Sequence, residues 1–139
     1  MEREESFGVI PLSKKSGEWK VFLIQHKKGR YWGFPKGHAE SGETAQQTAF
    51  RELKEETNLE VVRCLQEEPF VEQYQFSKKG LRVEKRVTYF VAEVTGFVRL
   101  QEEEIQGGVW VPFPEALTKV THTEGRAILQ QVAEKWVRP

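Results

Sequence analysis

The chain has 139 residues, which is enough for one domain with a hydrophobic core and too few for two independent domains. Hydrophobic residues make up 38% of the chain and charged residues 30%, a balance that excludes a disordered segment. Because 21 basic residues match 21 acidic ones, the composition also excludes a basic tail that binds nucleic acid, and no stable nucleic-acid complex is expected. We therefore expect a single domain over residues 1–139 that holds any anionic ligand through a local cluster of side chains.

The chain shows no pattern of a targeting or membrane-spanning segment. Its first residues are mostly charged, and no later run approaches the roughly 20 apolar residues of a spanning helix. Cys64 is the only cysteine, so an internal disulfide cannot form and a reducing compartment is expected. The sequence predicts a cytoplasmic protein that does not bind membranes.

The first predicted elements are two strands, Phe7 to Leu12 and Lys20 to His26. The turn-rich segment 13–17 separates them, which favours a hairpin or an adjacent strand pair. A loop rich in glycine, lysine and aromatic residues follows from Lys27 to Gly42.

The next element is a helix, predicted from Ala45 to Thr57. Thr44 and Gln47 form a capping-box pattern at its start, and the segment contains neither glycine nor proline. Asn58 follows, and asparagine adopts the left-handed conformation that ends many helices.

Two long strand-like stretches come after the helix, about Val61 to Phe76 and Arg82 to Val94. The segment 77–80 joins them as a hairpin turn, so we expect antiparallel pairing. A short strand from Gly107 to Val111 and an amphipathic helix from Glu124 to Val137 complete the chain. This order predicts an α/β fold in which a mixed sheet carries helices on its faces.

Three glutamates share one face of the predicted helix. Glu52, Glu55 and Glu56 stand at i, i+3 and i+4, within an arc of about 100°. A solvated helix surface is the simple interpretation, but the apolar stripe that includes Ala49 and Leu53 places two of the glutamates at the edge of the buried face. An unpaired carboxylate there costs several kcal/mol, which a bound divalent cation would offset. Oxygen ligands without histidine or cysteine favour Mg²⁺ or Mn²⁺.

These residues belong to a longer pattern. From Gly37 through Glu43 to the segment 51–59 (Arg-Glu-Leu-Lys-Glu-Glu-Thr-Asn-Leu), the sequence resembles the Nudix box, and every charged position agrees. The one departure is Asn58 in place of glycine, a substitution that a positive φ angle tolerates. The resemblance implies a Nudix-type α/β/α sandwich, with a central mixed sheet and helices on both faces, that hydrolyses phosphoanhydride bonds.

The resemblance also implies roles for the residues of the box. Glu52, Glu55 and Glu56 would hold the metal ion, and the carbonyl oxygen of Gly37 would add a further ligand. Arg51 would orient these carboxylates, because a guanidinium binds a carboxylate through two parallel hydrogen bonds. Water would attack phosphorus, with the metal lowering the pKa of that water.

Segments outside the box resemble those Nudix hydrolases that cleave diadenosine tetraphosphate asymmetrically. The similarity covers residues 32–38 (Trp-Gly-Phe-Pro-Lys-Gly-His) and residues 85–90 (Lys-Arg-Val-Thr-Tyr-Phe). Glu104, before Trp110, matches an acid that lies beside the metals in those enzymes, which makes it a candidate catalytic base or further ligand. The alternative is that Glu104 is only part of a charged loop.

A tetraphosphate needs more positive charge than the metals supply, and Lys36, His38 and Lys85 are candidates to contact it. Adenine needs a flat partner, and Tyr74 and Phe76 lie on one face of a predicted strand from which they could stack on it. Core packing is the alternative for at least one of these two rings.

The resemblance favours hydrolysis of diadenosine tetraphosphate to ATP and AMP, so the expected partner is a nucleotide with a polyphosphate chain. One alternative is removal of pyrophosphate from a nucleoside triphosphate or from a triphosphorylated RNA 5′ end. The other is a catalytically inactive nucleotide-binding module.

Overall fold

The computed structural model describes residues 1–136, in which eight strands form one mixed sheet and three helices pack against it. The strands are β1 (Glu2–Lys15), β2 (Glu18–His26), β3 (Trp32–Gly33), β4 (Lys36–Gly37), β5 (Glu60–Cys64), β6 (Phe70–Lys78), β7 (Leu81–Thr95) and β8 (Ile105–Pro112). The helices are α1 (Ala45–Thr57), α2 (Phe113–Lys119) and α3 (Thr123–Trp136). No helix in this part of the chain is long and apolar enough to cross a membrane.

Strand β1 lies at the centre of the sheet, in the order β3-β2-β1-β7-β5. It pairs in parallel with β7, from Glu2 opposite Val83 to Leu12 opposite Glu93. Its last residues form the predicted antiparallel hairpin with β2, and β4 pairs antiparallel with it near Phe7. The sheet is completed by β6 on β7 and β8 on β2, both antiparallel.

The sheet separates two hydrophobic cores, because successive residues of a strand point to opposite faces. In β1, Val9 packs in the core beneath α1, which also contains Ala49 and Leu53. The next residue, Ile10, packs in the other core together with Leu129 of α3. Helices therefore cover both faces, as the α/β/α prediction requires.

Helix α1 has the predicted bounds and caps. The Gln47 backbone N–H donates to the Thr44 hydroxyl over 3.1 Å, and the Thr44 N–H donates to the Gln47 side chain over 2.9 Å. At the other end Asn58 has a φ of 69°, and its backbone N–H donates to the Lys54 carbonyl. These two caps fix the residue at which the carboxylate-bearing helix begins and the residue at which it ends.

The stretch from Val61 to Phe76, predicted as one strand, is two strands. The chain leaves the sheet after Cys64 and rejoins it at Phe70, directly after Pro69, which cannot donate a ladder hydrogen bond. As a result β5 pairs with the end of β7 while β6 pairs with its beginning. The hairpin of β6 and β7 is antiparallel, as predicted.

Three further elements were not predicted. The expected loop from Lys27 to Gly42 contains β3 and β4, which are too short to show a periodic pattern. Helix α2 begins at Phe113 and has Pro114 in its first turn, where a missing N–H is tolerated. The closing helix matches α3, although Val137 lies outside the described residues.

Candidate active site

A polar cleft of about 510 Å³ lies beside α1, β1 and β4. The cleft is lined by residues of β1, of β2 and the loop after it, of β4 and the loop after it, of α1, of β7, and of the loop before β8. All of the residues predicted to hold a metal, to catalyse or to contact phosphate line it: Lys36, Gly37, His38, Arg51, Glu52, Glu55, Glu56, Lys85 and Glu104.

Arg51 is the centre of the hydrogen-bond network on α1. Its guanidinium grips Glu43 through two bonds, Nε to Oε2 at 2.7 Å and Nη2 to Oε1 at 3.0 Å. The Nη1 atom donates to Glu52 at 3.1 Å and to Glu55 at 2.9 Å. Nη2 also donates to the carbonyl oxygen of His38 at 3.0 Å. One side chain thereby fixes carboxylates from the loop and from the helix.

Both carboxylate oxygens of Glu43 are engaged away from the cleft. One oxygen accepts from the Glu40 backbone N–H at 2.8 Å and from the Thr48 hydroxyl at 2.9 Å, in addition to Arg51. The hydrogen bonds from Arg51, with those from the backbone and from Thr48, lower the pKa of Glu43 to about 2. Glu43 is therefore a permanently charged residue that positions Arg51.

Glu56 carries the most strongly buried carboxylate of the helix face. It is only 3% exposed, and its Oε1 atom has no hydrogen-bond partner. Burial, together with the charge of Glu52, raises the pKa of Glu56 well above its ordinary value. The pKa of Glu52 is also raised, chiefly by burial. Two neighbouring carboxyls that resist ionisation in this way form a site that favours a cation.

Gly37 lies directly against the carboxylate of Glu52. A Cβ atom at position 37 would overlap the carboxylate carbon and both of its oxygens. A larger residue there would force the Glu52 carboxylate out of the position in which Arg51 holds it. The arrangement brings the main chain of Gly37 to the edge of the carboxylate cluster.

The residues present fit a divalent metal ion of the magnesium type. Glu56 offers a buried oxygen that lacks a donor, and an unpaired buried acceptor is unfavourable unless a cation or a proton satisfies it. Within residues 1–136 no three acidic, histidine or cysteine side chains form a closed cage. Mg²⁺ does not require one, because it keeps waters and shares its ligands with substrate phosphates.

Basic side chains line the same cleft. Lys85 is 6% exposed, its Nζ donates to the Ser6 hydroxyl at 2.7 Å, and burial lowers its pKa. The Nζ of Lys36 lies 3.4 Å from the Tyr31 hydroxyl, and His38 is exposed at the rim. The cleft therefore presents carboxylates and cations to the same space, which suits a metal complex of a polyphosphate.

Glu104 approaches the cleft from the loop before β8. Its side chain is exposed and lines both this cleft and the neighbouring cavity that contains Phe76. The Glu104 carbonyl accepts from the Lys27 backbone N–H at 2.9 Å, which anchors the loop. The carboxylate thus has access to the site, as its predicted role requires.

Sequence reasoning missed five residues of the cleft: Ser6, His26, Lys28, Glu40 and Gln101. Within the described chain, the buried side-chain atoms without a hydrogen-bond partner are His26 Nε2, Glu56 Oε1 and Gln101 Oε1, and all three residues line the cleft. Burial, reinforced by Lys36, lowers the pKa of His26 to about 4, so the ring is neutral at pH 7. A histidine at a strand end and a glutamine in a charged loop gave no sequence signal.

The two rings predicted to stack on adenine lie in neighbouring cavities. Tyr74 and Phe76 project from the same face of β6, with ring centroids 6.1 Å apart. Tyr74 lines a small cavity with Glu72 and His122, whereas Phe76 lines a wider one with Lys78. The shared face agrees with the predicted alternation, but one base cannot occupy both cavities.

Comparison with known proteins agrees with this geometry. The NUDIX domain family matches residues 2–132. The chain is 35% identical over 115 residues to a Mycobacterium tuberculosis (strain CDC 1551 / Oshkosh) protein described as putative mutator protein MutT4, covering 80% of this chain and 44% of that protein. It is 33% identical over 116 residues to the asymmetrical bis(5′-nucleosyl)-tetraphosphatase of Rattus norvegicus, covering 81% of this chain and 77% of that enzyme.

The fold is shared with a C. elegans Ap4A hydrolase solved as a binary complex, with a TM-score of 0.72 at 24% identity. That similarity covers 96% of this chain and 97% of the other. The domain match, the fold and the glutamate cluster together show that this chain belongs to the NUDIX domain family and is a Nudix hydrolase, an enzyme class that acts on nucleoside polyphosphates.

Proposed function

We propose that the protein hydrolyses a bis(5′-nucleosyl)-tetraphosphate asymmetrically, converting diadenosine tetraphosphate and water to ATP and AMP with Mg²⁺, or Mn²⁺ in its place. One observation carries the proposal: the unpartnered buried oxygen of Glu56 faces the same cleft as Lys36, His38 and Lys85. The carboxylates would bind a metal cation, and the neighbouring basic side chains would bind phosphate anions. A cleft that offers both fits a metal-bound polyphosphate.

Glu52, Glu55 and Glu56 are the residues that hold the metal in this proposal, with the carbonyl oxygen of Gly37 as a further ligand. When bound, the metal lowers the pKa of a coordinated water and neutralises phosphate oxygens. Arg51 keeps two of these carboxylates, Glu52 and Glu55, in fixed orientations through its hydrogen bonds. An outer residue of this kind tunes ligand geometry without touching the substrate.

The reaction itself needs no covalent intermediate with the protein. The water oxygen bonds to one phosphorus and the bridging P–O bond on the opposite side breaks, so that the leaving phosphate keeps both electrons of that bond. The proton lost by the water ends on a product phosphate or in solvent. Glu104 is the proposed acceptor of the water's proton, because its exposed carboxylate lines the cleft and is engaged in none of the Arg51 hydrogen bonds.

The remaining residues bind the substrate. Lys36, His38 and Lys85 contact the phosphate chain, and the buried position of Lys85 strengthens its attraction for an anion. Tyr74 and Phe76 offer aromatic faces to the bases, each beside a different cavity. We also propose a cytoplasmic location, because Cys64 is a free thiol.

The similarity to the rat tetraphosphatase supports this substrate, since most of that enzyme's length is matched. The similarity to the MutT4 protein keeps nucleoside triphosphates in consideration, although less than half of that protein is matched. The basic residues outside the box favour the longer phosphate chain.

The experiment is a substrate panel in H₂¹⁸O with purified protein and Mg²⁺. The panel contains dinucleoside polyphosphates, nucleoside triphosphates, ADP-ribose and triphosphorylated RNA, and mass spectrometry locates the ¹⁸O in the products. We expect preferred turnover of diadenosine tetraphosphate and a single labelled product. Glu56→Gln should lower kcat about a thousandfold, the loss of roughly 4 kcal/mol of transition-state stabilisation.

Glu134→Gln is the matched control, since Glu134 is an exposed glutamate on α3 and not among the residues that line the cleft. It should leave kcat unchanged. Equal or faster turnover of ADP-ribose or of simple triphosphates contradicts the proposed substrate. Binding without turnover of any nucleotide contradicts an enzymatic role altogether.

A further inference from the structure

A small cavity, here called the Glu72 cavity, adjoins the catalytic cleft. Its lining includes Tyr31, Lys36, Glu72, Tyr74, Tyr89 and His122. The residues of its floor are buried, whereas the Tyr31, Tyr74 and His122 rings at its rim are accessible to solvent. The cavity is therefore an aromatic opening with a carboxyl group at its base.

Glu72 is a buried acid to which the proposed reaction gives no role. It is 9% exposed, on a strand whose pairing places it opposite Val87. Burial raises its pKa to about 7, with Lys36 opposing the shift and Glu124 adding to it, and no hydrogen bond contributes. Its carboxyl oxygens are not among the fully buried atoms without a partner, so they are accessible from the cavity, where a bound ligand can supply a hydrogen-bond donor.

The size of the cavity restricts what enters it. Its volume is about 30 Å³, enough for roughly two water-sized groups and too small for a purine ring. Only the edge of a base can therefore reach Glu72, while the ring rests against the aromatic rim. Tyr31 and His122, with centroids 4.9 Å apart, provide faces for such a ring.

Lys36 connects this cavity to the cleft, because its side chain lines both. A nucleotide whose phosphates contact Lys36 has its base within reach of the cavity. A nucleotide bound in this way would have its base near the Glu72 carboxyl group and its phosphates near the catalytic glutamates.

We propose that Glu72 is a specificity residue that recognises the exocyclic amine of the bound nucleobase. The inference rests on the proposed function, because it takes the phosphate chain to lie in the cleft. A carboxyl oxygen accepts a hydrogen bond from the amine of adenine in either protonation state. Hypoxanthine carries a carbonyl oxygen at the same position, which cannot donate and is repelled by an ionised carboxylate.

The test is equilibrium binding of AMP and of IMP at pH 8, where the Glu72 carboxyl is mostly ionised and cannot donate to the hypoxanthine carbonyl. Calorimetry with Mg²⁺ present measures both affinities. We expect the wild-type protein to bind AMP about 10- to 100-fold more tightly, the range for a hydrogen bond to a charged or buried group. Glu72→Gln should keep the AMP affinity and bind IMP equally well, because an amide can flip to accept from an amine or to donate to a carbonyl. Glu72→Leu should lose both the AMP affinity and the discrimination.

Glu134→Gln is the control and should keep the wild-type ratio of affinities. Unfolding temperatures identify any variant that fails to fold. If Glu72→Leu fails to fold, the affinities of Glu72→Gln alone decide whether Glu72 recognises the base. An unchanged AMP to IMP ratio in Glu72→Gln overturns the inference, even when diadenosine tetraphosphate turns over normally. A different result would separate the two proposals. If the wild-type protein turned over no substrate, but the AMP to IMP affinity ratio were lost only in the Glu72 variants, the proposed reaction would be rejected and the base-recognition role would stand.

Discussion

The catalytic cleft and the Glu72 cavity share a wall at Lys36 and are built in different ways. The cleft takes its three proposed metal-binding acids of the box, Glu52, Glu55 and Glu56, from one helix, at spacings that any helix would bring together. The cavity takes Tyr31, Glu72 and His122 from segments that meet only through the tertiary fold. Residue spacing along one helix is therefore enough to identify the catalytic group from the sequence. The residues proposed to determine specificity come together only through long-range contacts.

The two regions also treat buried charge differently. In the cleft, Arg51 compensates Glu43, Glu52 and Glu55 and leaves Glu56 without a donor. In the cavity Glu72 has no such arginine, and burial dominates its pKa. The comparison predicts metal-dependent stability in the first region and pH-dependent stability in the second.

The largest expected effect tests the cleft. Mg²⁺ at about 1,000 times its Kd should stabilise the wild-type protein by about 4.1 kcal/mol, because only the folded state assembles the glutamates. In Glu56→Gln this gain should disappear, while the metal-free variant unfolds no more easily than the wild type, since an amide replaces a buried carboxyl that resists ionisation without the metal. Thermal unfolding with and without Mg²⁺ measures both, and an equal gain in the variant removes Glu56 from the metal site.

The next effect tests the cavity. The pKa of Glu72 rises from an ordinary 4.5 to about 7 on folding, so its ionisation destabilises the native state. The native state is fully stable with respect to this group below pH 4.5 and loses stability as the pH rises through 7. Glu72→Gln removes the titration and should exceed the wild type by up to about 3 kcal/mol at pH 8.5, with little difference at pH 4.

Urea unfolding at both pH values measures this difference. Glu68→Gln, a change to an exposed glutamate, is the control and should leave the pH dependence as in the wild type. Parallel curves for Glu72→Gln and the wild type would show that the carboxyl is solvated in solution.

A smaller effect is expected at the centre of the hydrogen-bond network. Arg51→Lys keeps the charge but cannot reach Glu43, Glu52 and Glu55 together, so kcat/KM should fall about 10- to 100-fold. Arg63→Lys, at the exposed ion pair with Glu93, is the control and should have almost no effect. Equal activities for the two variants would mean that Arg51 acts only as a local charge.

The smallest effect concerns the end of α1. Asn58→Ala places a Cβ-bearing residue without a helpful side chain at a φ of 69° and removes the 2.8 Å bond to the Phe97 carbonyl, which should cost about 1 kcal/mol. Asn58→Gly relieves the backbone and loses the same bond, so its change should stay within about 0.5 kcal/mol. Chemical unfolding separates the two, and identical losses would show that the hydrogen bond matters more than the backbone.

The sequence was sufficient for α1 and for the glutamates on it. Three of its features depend only on residues close in sequence: the cap at Thr44, the left-handed residue Asn58, and the spacing of Glu52 and Glu56. Such features can be predicted without knowledge of the tertiary structure. The α/β class and the hairpin of β6 and β7 followed from strand periodicity and turn residues in the same way.

The parts of the fold and of the site that the sequence did not predict depend on long-range packing. The segment 65–69 divides one predicted strand into two, and the two-residue strands β3 and β4 are defined by their pairing with β2 and β1. His26, Glu72 and Gln101 became notable through burial, which no single-sequence pattern reports. The residues that surround them are distant in the chain, so their burial could be recognised only from the three-dimensional structure.

The parallel pairing of β1 with β7 has a consequence for the order of folding. The pairing joins the first strand to one that begins at Leu81, whereas the β6 and β7 hairpin and α1 are built from near neighbours. Contacts between such distant segments form more slowly, because they close a long loop. The cleft needs β1 to hold β4, and it needs β7 to carry Lys85. In a refolding experiment, helical circular dichroism should therefore return before magnesium affinity does.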